Sequence, residues 1–179
     1  YNNYNTMSKI ILITGASSGF GKATATKFAA GGWNVILTAR RKEKLEELSK
    51  ALESNYGIKT LSLIFDVQDK KAVFDSIASL PESFNNIDVL INNAGNAHGL
   101  DPIQTGNLDD WDAMIDINLK GLLYVSRAII PNMVARESGH IINIGSTAAK
   151  EVYPNGNVYC ATKHAVDSLN QAMRIDLNP

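Results

Sequence analysis

The sequence of 179 residues predicts an α/β protein built on a doubly wound parallel sheet. Three observations predict it: short runs of β-branched and apolar residues, helix-forming stretches between them, and a glycine-rich turn directly after the first run. Runs that are apolar throughout, rather than alternating, suit strands buried on both faces of a parallel sheet.

The first run, Lys9 to Thr14, is followed at once by Gly15-Ala-Ser17-Ser18-Gly19-Phe20-Gly21. Helix formers then fill Lys22 to Ala30, and Gly31-Gly32 stops them. Strand, glycine turn and helix are the layout of a dinucleotide site. There the glycines let the backbone approach a pyrophosphate, and the helix N-terminus offers N–H donors and a favourable dipole. The spacing Gly-x-x-x-Gly-x-Gly at 15, 19 and 21 departs from the commoner Gly-x-Gly-x-x-Gly.

Asn34 to Thr38 is the second strand, closed by Ala39-Arg40-Arg41. An acid near this position would hold ribose hydroxyls, whereas arginine accommodates a 2′-phosphate, so Arg40 and Arg41 point to NADP; otherwise they are solvated charges at a helix start. Lys42 to about Asn55 is helical, with Leu45, Leu48 and Leu52 on one stripe and Gly57 at its end. Thr60 to Phe65 is the third strand, closed by Asp66-Val67. Asp66 either accepts from an adenine amino group or caps the helix that begins near Asp69 and runs to about Leu80, before Pro81.

Ile87 to Ile91 is the fourth strand, followed by Asn92-Asn93-Ala94-Gly95, a turn whose small residues let a flat ring lie against the backbone. His98 is a loop residue and, as a lone histidine, makes no metal site. A long helix is expected over Asp109 to about Ala135. Within it Asn118 is either an exposed polar position or a residue turned toward the catalytic pair described next. His140 to Ile144 is the fifth strand, and a last helix spans about Tyr159 to Leu177.

The stretch Ser146 to Lys163 carries the chemistry. Tyr159 and Lys163 are four residues apart, so on a helix they share a face. A free tyrosine has a pKa of about 10. A neighbouring ammonium lowers it and makes Tyr159 usable as a general acid and base, with Ser146 holding a substrate oxygen. Taken alone, the pair fits an amphipathic helix with a solvated lysine better; its company with the other motifs turns the reading toward catalysis.

Hydrophobic residues make up 45% of the chain, enough for one domain with a sizeable core over 7–179. Tyr1 to Thr6 reads as a disordered leader or expression remnant before Met7. A net charge of −1 with scattered basic residues suggests neither nucleic acid nor a membrane surface as partner, and points to a small-molecule substrate. No apolar run approaches the ~20 residues of a membrane span. The only cysteine, Cys160, cannot form an internal disulfide; it reads as a buried thiol in a reducing, cytoplasmic setting.

In order, Thr14-Gly-x-x-x-Gly-x-Gly21, Asp66, Asn92-Asn-Ala-Gly95, Asn118, Ser146 and Tyr159-x-x-x-Lys163 resemble the short-chain dehydrogenase/reductase superfamily, from about Ser8 onward. More narrowly, Asn86 to Gly95, Gly139 to Thr147 and Gly156 to Tyr159 resemble its NADP-dependent 3-hydroxy acid dehydrogenases, which act on serine, L-allo-threonine and related acids and reduce malonic semialdehyde.

The resemblance implies a Rossmann sheet and hydride transfer to or from NADP. Tyr159 would move the substrate proton, Lys163 would lower its pKa and bind the nicotinamide ribose, Ser146 would position the substrate, and Asn118 would hold a water linking Lys163 to solvent. Gly15, Ser17, Ser18, Gly19, Phe20 and Gly21 would line the pyrophosphate and adenosine ribose, Asp66 and Val67 would meet adenine, and Asn93, Ala94 and Gly95 would flank the cofactor. A homodimer or homotetramer is implied through the helices at 109–135 and 159–177. The rivals are reduction of another carbonyl, such as a 3-ketoacyl thioester, sugar or steroid ketone, and an NADP-binding module that catalyses nothing. Family members continue past this chain's last residue with two more strands and a substrate lid. The sequence is therefore expected to be part of a longer product, inactive alone, with strand five as a long apolar edge.

Overall fold

A computed structural model describes residues 9–178; the expected leader over 1–6 lies outside them. Five parallel strands stand in the order β3-β2-β1-β4-β5, with β1 Ile10–Thr14, β2 Asn34–Ala39, β3 Thr60–Ile64, β4 Val89–Asn92 and β5 His140–Asn143. The chain moves outward from β1 to β3, then crosses to the other side of β1 for β4 and β5. That reversal opens a crevice beyond the carboxyl ends of β1 and β4, where ligands of such sheets bind.

Helices cover both faces. Against Ile11, Ile13, Val35 and Leu37 pack α1 (Gly19–Ala30), through Ala25 and Ala29, and α2 (Lys42–Tyr56), through the leucine stripe at 45, 48 and 52. Against Leu12, Ile36 and Leu90 pack α3 (Lys70–Ala78), through Val73, and α5 (Leu122–Ala135), through Val125, Ile129 and Met133. Burying a side chain such as Leu12 contributes about 1.5–3 kcal/mol, so β1, buried along its whole length, anchors both layers. α4 (Leu108–Ile115) and α6 (Asn157–Asp176) complete the helices, and α6 packs against α4 and the segment that follows it.

Several boundaries differ from the sequence reading. α1 begins at Gly19, not Lys22, so Gly19, Phe20 and Gly21 form its first turn. α6 begins at Asn157, two residues before Tyr159. The long helix over 109–135 is interrupted: Asp116–Gly121 is a π-helical segment between α4 and α5. Asp69, not Asp66, caps α3, its carboxylate accepting from the Ala72 N–H at 3.0 Å. Strand five is only four residues long and is paired with β4 alone among the described residues; His140 is exposed, and Ile141 to Asn143 are half-buried.

Candidate active site

Tyr159 and Lys163 lie in the first two turns of α6, and their spacing sets the ammonium of Lys163 5.9 Å from the centre of the tyrosine ring. Lys163 is only 8% exposed and donates to the carbonyl of Ile144 at 3.0 Å, just past the end of β5. The solvated-lysine reading is therefore overturned. Burial pushes the pKa of this ammonium below the ordinary lysine value. Two residues after Ile144, Ser146 caps a short 3₁₀ turn, Thr147–Ala149, its Oγ accepting from the Ala148 N–H at 3.1 Å. That leaves the serine hydroxyl proton free to donate.

Asn118 sits in the π-helical segment and is 2% exposed, which removes the exposed-position alternative. Its Oδ1 accepts from the Asn96 N–H at 2.8 Å, while Nδ2 donates to the Asn96 carbonyl at 2.8 Å and to Thr162 Oγ1 at 3.1 Å. Thr162 in turn donates to the Tyr159 carbonyl at 2.8 Å. A Cβ placed on Gly95 would stand 3.2 Å from Asn118 Oδ1 and 3.7 Å from Lys163 Nζ, so all three border one small space.

The glycine turn is joined to the Asn93 turn. Thr14 Oγ1 accepts from the N–H groups of Asn93 and Ala94 at 3.0 and 2.9 Å, and Asn93 Nδ2 donates to the Thr14 and Gly15 carbonyls at 2.8 and 3.3 Å. A Cβ at Gly15 would lie 3.0 Å from Ala94 Cα, and one at Gly21 would lie 2.6 Å from Asn93 Nδ2. Glycine at these two places is a packing requirement. Gly15 and Gly19 both have a positive φ, +67° and +53°, but Gly19 differs in that its Cβ position faces open space. At the end of β2, Arg41 donates to Ser17 Oγ at 2.9 Å and Ser18 Oγ at 3.2 Å, while Arg40 pairs with Asp66 at 3.4 Å.

The family profile described as short chain dehydrogenase matches residues 9–179. This chain belongs to that family. The chain is 47% identical over 169 residues to the NADP-dependent 3-hydroxy acid dehydrogenase YdfG of Shigella flexneri, covering 94% of this chain and 66% of that one. It is 45% identical over 172 residues to sulfoacetaldehyde reductase 2 of Chromohalobacter salexigens, covering 96% and 68%. Its fold superposes on the closed form of a serine dehydrogenase complexed with NADP+ with a TM-score of 0.89 and 45% identity, covering 94% of this chain and 66% of the other. The chain thus spans about two thirds of the length of these relatives.

The predicted residues fall into two groups at the carboxyl ends of the strands. Residues 15–21 with Arg40, Arg41, Asp66 and Val67 gather along the β1–β3 side; Asn118, Ser146, Tyr159 and Lys163 gather along the β4–β5 side, with Asn93 to Gly95 between. Asn96 and Thr162 escaped the sequence reading, and Thr14 entered it only as the first residue of the glycine motif. Thr14 carried a signal, since a hydroxyl at the end of an apolar strand directly before a turn is placed to bond backbone, but Thr162 had none beyond its neighbour Lys163. A small cleft beside Tyr159 is lined by His98, Asp101, Asp110, Trp111 and Asn157. A wider groove runs along the open edge of β5 between α5 and α6, holds none of the predicted residues, and so does not mark the site. Cys160 is buried, as expected. Among the described residues no group of three His, Cys, Asp or Glu side chains converges as metal ligands would, and no helix is long and apolar enough to cross a membrane.

Proposed function

We propose that the chain contains the cofactor-binding and proton-transfer parts of an NADP-dependent oxidoreductase, one that interconverts a small 3-hydroxy acid of serine or L-allo-threonine type and its carbonyl. The observation that carries this reading is the buried ammonium of Lys163, fixed on the Ile144 carbonyl beside the ring of Tyr159. It puts a cation beside the ring whose hydroxyl would act as general acid and base. The names of YdfG and of the NADP+-bound serine dehydrogenase support the cofactor and the substrate class.

The donor set fits NADP. Arg41 is steadied by two serine hydroxyls of the glycine turn, and Arg40, 68% exposed at its side chain, stands at the end of β2, so two guanidinium groups flank the place where a 2′-phosphate would be read. Gly19, with open space at its Cβ position, leaves backbone accessible at the N-terminus of α1. When bound, the nicotinamide accepts or returns a hydride.

The protein's own residues handle the proton and the position. Ser146 donates its hydroxyl proton to the substrate oxygen. Tyr159 takes the substrate's hydroxyl proton during oxidation and gives it back during reduction, beside the Lys163 ammonium. Asn118 keeps one lone pair of Oδ1 beyond its bond from Asn96, enough to hold a water in the space it shares with Lys163 and Gly95. The assembly expected is a homodimer or homotetramer.

The test is the initial rate of NADPH formation by the full-length protein with L-serine and L-allo-threonine, with NAD run in parallel. Turnover with NADP supports the reading; NADPH binding without oxidation of either acid rejects the substrate class. A second reading, reduction of another small anionic carbonyl, is favoured by the likeness to sulfoacetaldehyde reductase 2, and NADPH consumption with sulfoacetaldehyde decides it.

A further inference from the structure

The π-helical segment holding Asn118 ends on Gly121, which is buried. A Cβ at Gly121 would lie 2.7 Å from Val67 Cγ2, 2.9 Å from Val67 Cβ and 3.3 Å from the Asp116 carbonyl. No side chain other than hydrogen fits between this segment and Val67. Val67 is itself a core residue, packed in the layer that contains Val125 and Ile129, so it has little freedom to withdraw. It also follows Asp66, which accepts from the Gln68 N–H at 3.1 Å and pairs with Arg40. The turn after β3 therefore rests directly on the segment from which Asn118 reaches Asn96 and Thr162.

We propose that Gly121 is a positioning residue, and that the seat it gives Val67 fixes the π-helical segment at the depth where Asn118 holds the Asn96 backbone and borders Lys163. The proposal rests on the role of Asn118 given above only for its activity readout. A π-helical segment carries an extra residue per turn, and without an external support it has no reason to keep that residue at Asp116–Gly121 rather than relax toward regular helix. Val67 is that support. The side chain that would contact adenine is thus the same one that sets the height of the catalytic asparagine.

The test is Gly121→Ala in the full-length protein, read by amide hydrogen exchange and by kinetics. The expected result is at least a tenfold loss of protection at the Asn96 N–H, with the amides of β1 and β2 unchanged. The kinetic counterpart is at least a tenfold fall in kcat with little change in KM for NADP, and an altered pH profile of kcat. Adding Val67→Ala to Gly121→Ala removes methyl groups opposite the one introduced, and restores protection at Asn96. Where Gly121→Ala does not fold, Val67→Ile brings the extra methyl from the other side and is read in the same way. Unchanged Asn96 protection in the variant overturns the proposal; so does a loss spread evenly over the sheet that Val67→Ala leaves uncorrected. The exchange measurement decides the matter even if the wild-type protein oxidises no hydroxy acid, an outcome that would count against the proposed substrate instead.

Discussion

Lys163 and Ile144, 19 residues apart, meet through a 3.0 Å hydrogen bond from the buried ammonium to the main-chain carbonyl beyond β5. The bond ties α6 to the sheet, but burial still disfavours the charged form and lowers the lysine's folded-state pKa. Between that lowered value and the unfolded value near 10.5, the unfolded chain binds more protons, so stability rises with pH. Relative to Lys163→Met, the cofactor-free wild type is expected to gain stability as pH rises from the lowered folded-state pKa toward the unfolded value, and to lose that gain as pH falls back through the same window. Urea unfolding of both proteins across this range checks the sign; a difference that is flat or shrinks with rising pH contradicts it.

Tyr159→Phe keeps the ring and removes the hydroxyl proposed to exchange the proton. Turnover is expected to fall at least about 100-fold, the scale of general acid–base help, while NADPH affinity measured by fluorescence titration stays within a few-fold. A near-normal rate takes tyrosine out of the mechanism.

Arg41 is held by Ser17 and Ser18, so it is already oriented before any phosphate arrives. A charge-assisted hydrogen bond contributes about 1.5–3 kcal/mol, which corresponds to roughly 10–100-fold in affinity. Arg41→Ala is expected to weaken NADP by that factor and NAD by much less. Equal losses, measured by calorimetric titration of both dinucleotides, remove the 2′-phosphate assignment.

Two glycines of the same turn answer alanine differently. Gly21→Ala drives a methyl group against Asn93 Nδ2 and the Gly15 backbone, an overpacking expected to cost about 1–3 kcal/mol. Gly19→Ala meets no neighbour and suffers only its positive φ, about 1–2 kcal/mol, and Gly19→Asn, which tolerates that conformation better, is expected to recover part of it. Denaturant melts of the three variants rank them; a Gly21→Ala protein as stable as wild type contradicts the packing described here.

Strands buried on both faces announce themselves as apolar runs, and so β1, β2 and β4 were legible from residue types alone; β3 and β5 at the sheet edges are mostly half-buried but carry enough apolar residues to be read as strands, while the order of the strands in the sheet was not read. The leucines at 45, 48 and 52 gave α2 its buried stripe for the same reason. The π-helical segment was not legible, because one extra residue in a turn shifts the periodicity by less than the scatter of apolar positions around Asn118. Nor was the cap of α3: Asp66 and Asp69 both precede the helix, and only the turn's backbone path decides which carboxylate reaches Ala72. Thr162 and Asn96 became visible only when α6 and the loop after β4 were brought together, since their partners lie 44 and 22 residues away.

The placement of β1 at the middle of the sheet also bears on how the chain is made. On one side, neighbouring strands are joined by contacts such as Asn34 with Lys59, 25 residues apart; on the other, Ile10 must wait for Asp88, 78 residues on. Loop closure grows only as the logarithm of length, so the longer connection adds about 1 kcal/mol, but it cannot form until the ribosome has delivered β4. The residues of β1, β2 and β3, with the arginines after β2, are therefore available to pair before Tyr159 has been synthesised, whereas the glycine turn waits for Asn93 and Ala94 beyond β4.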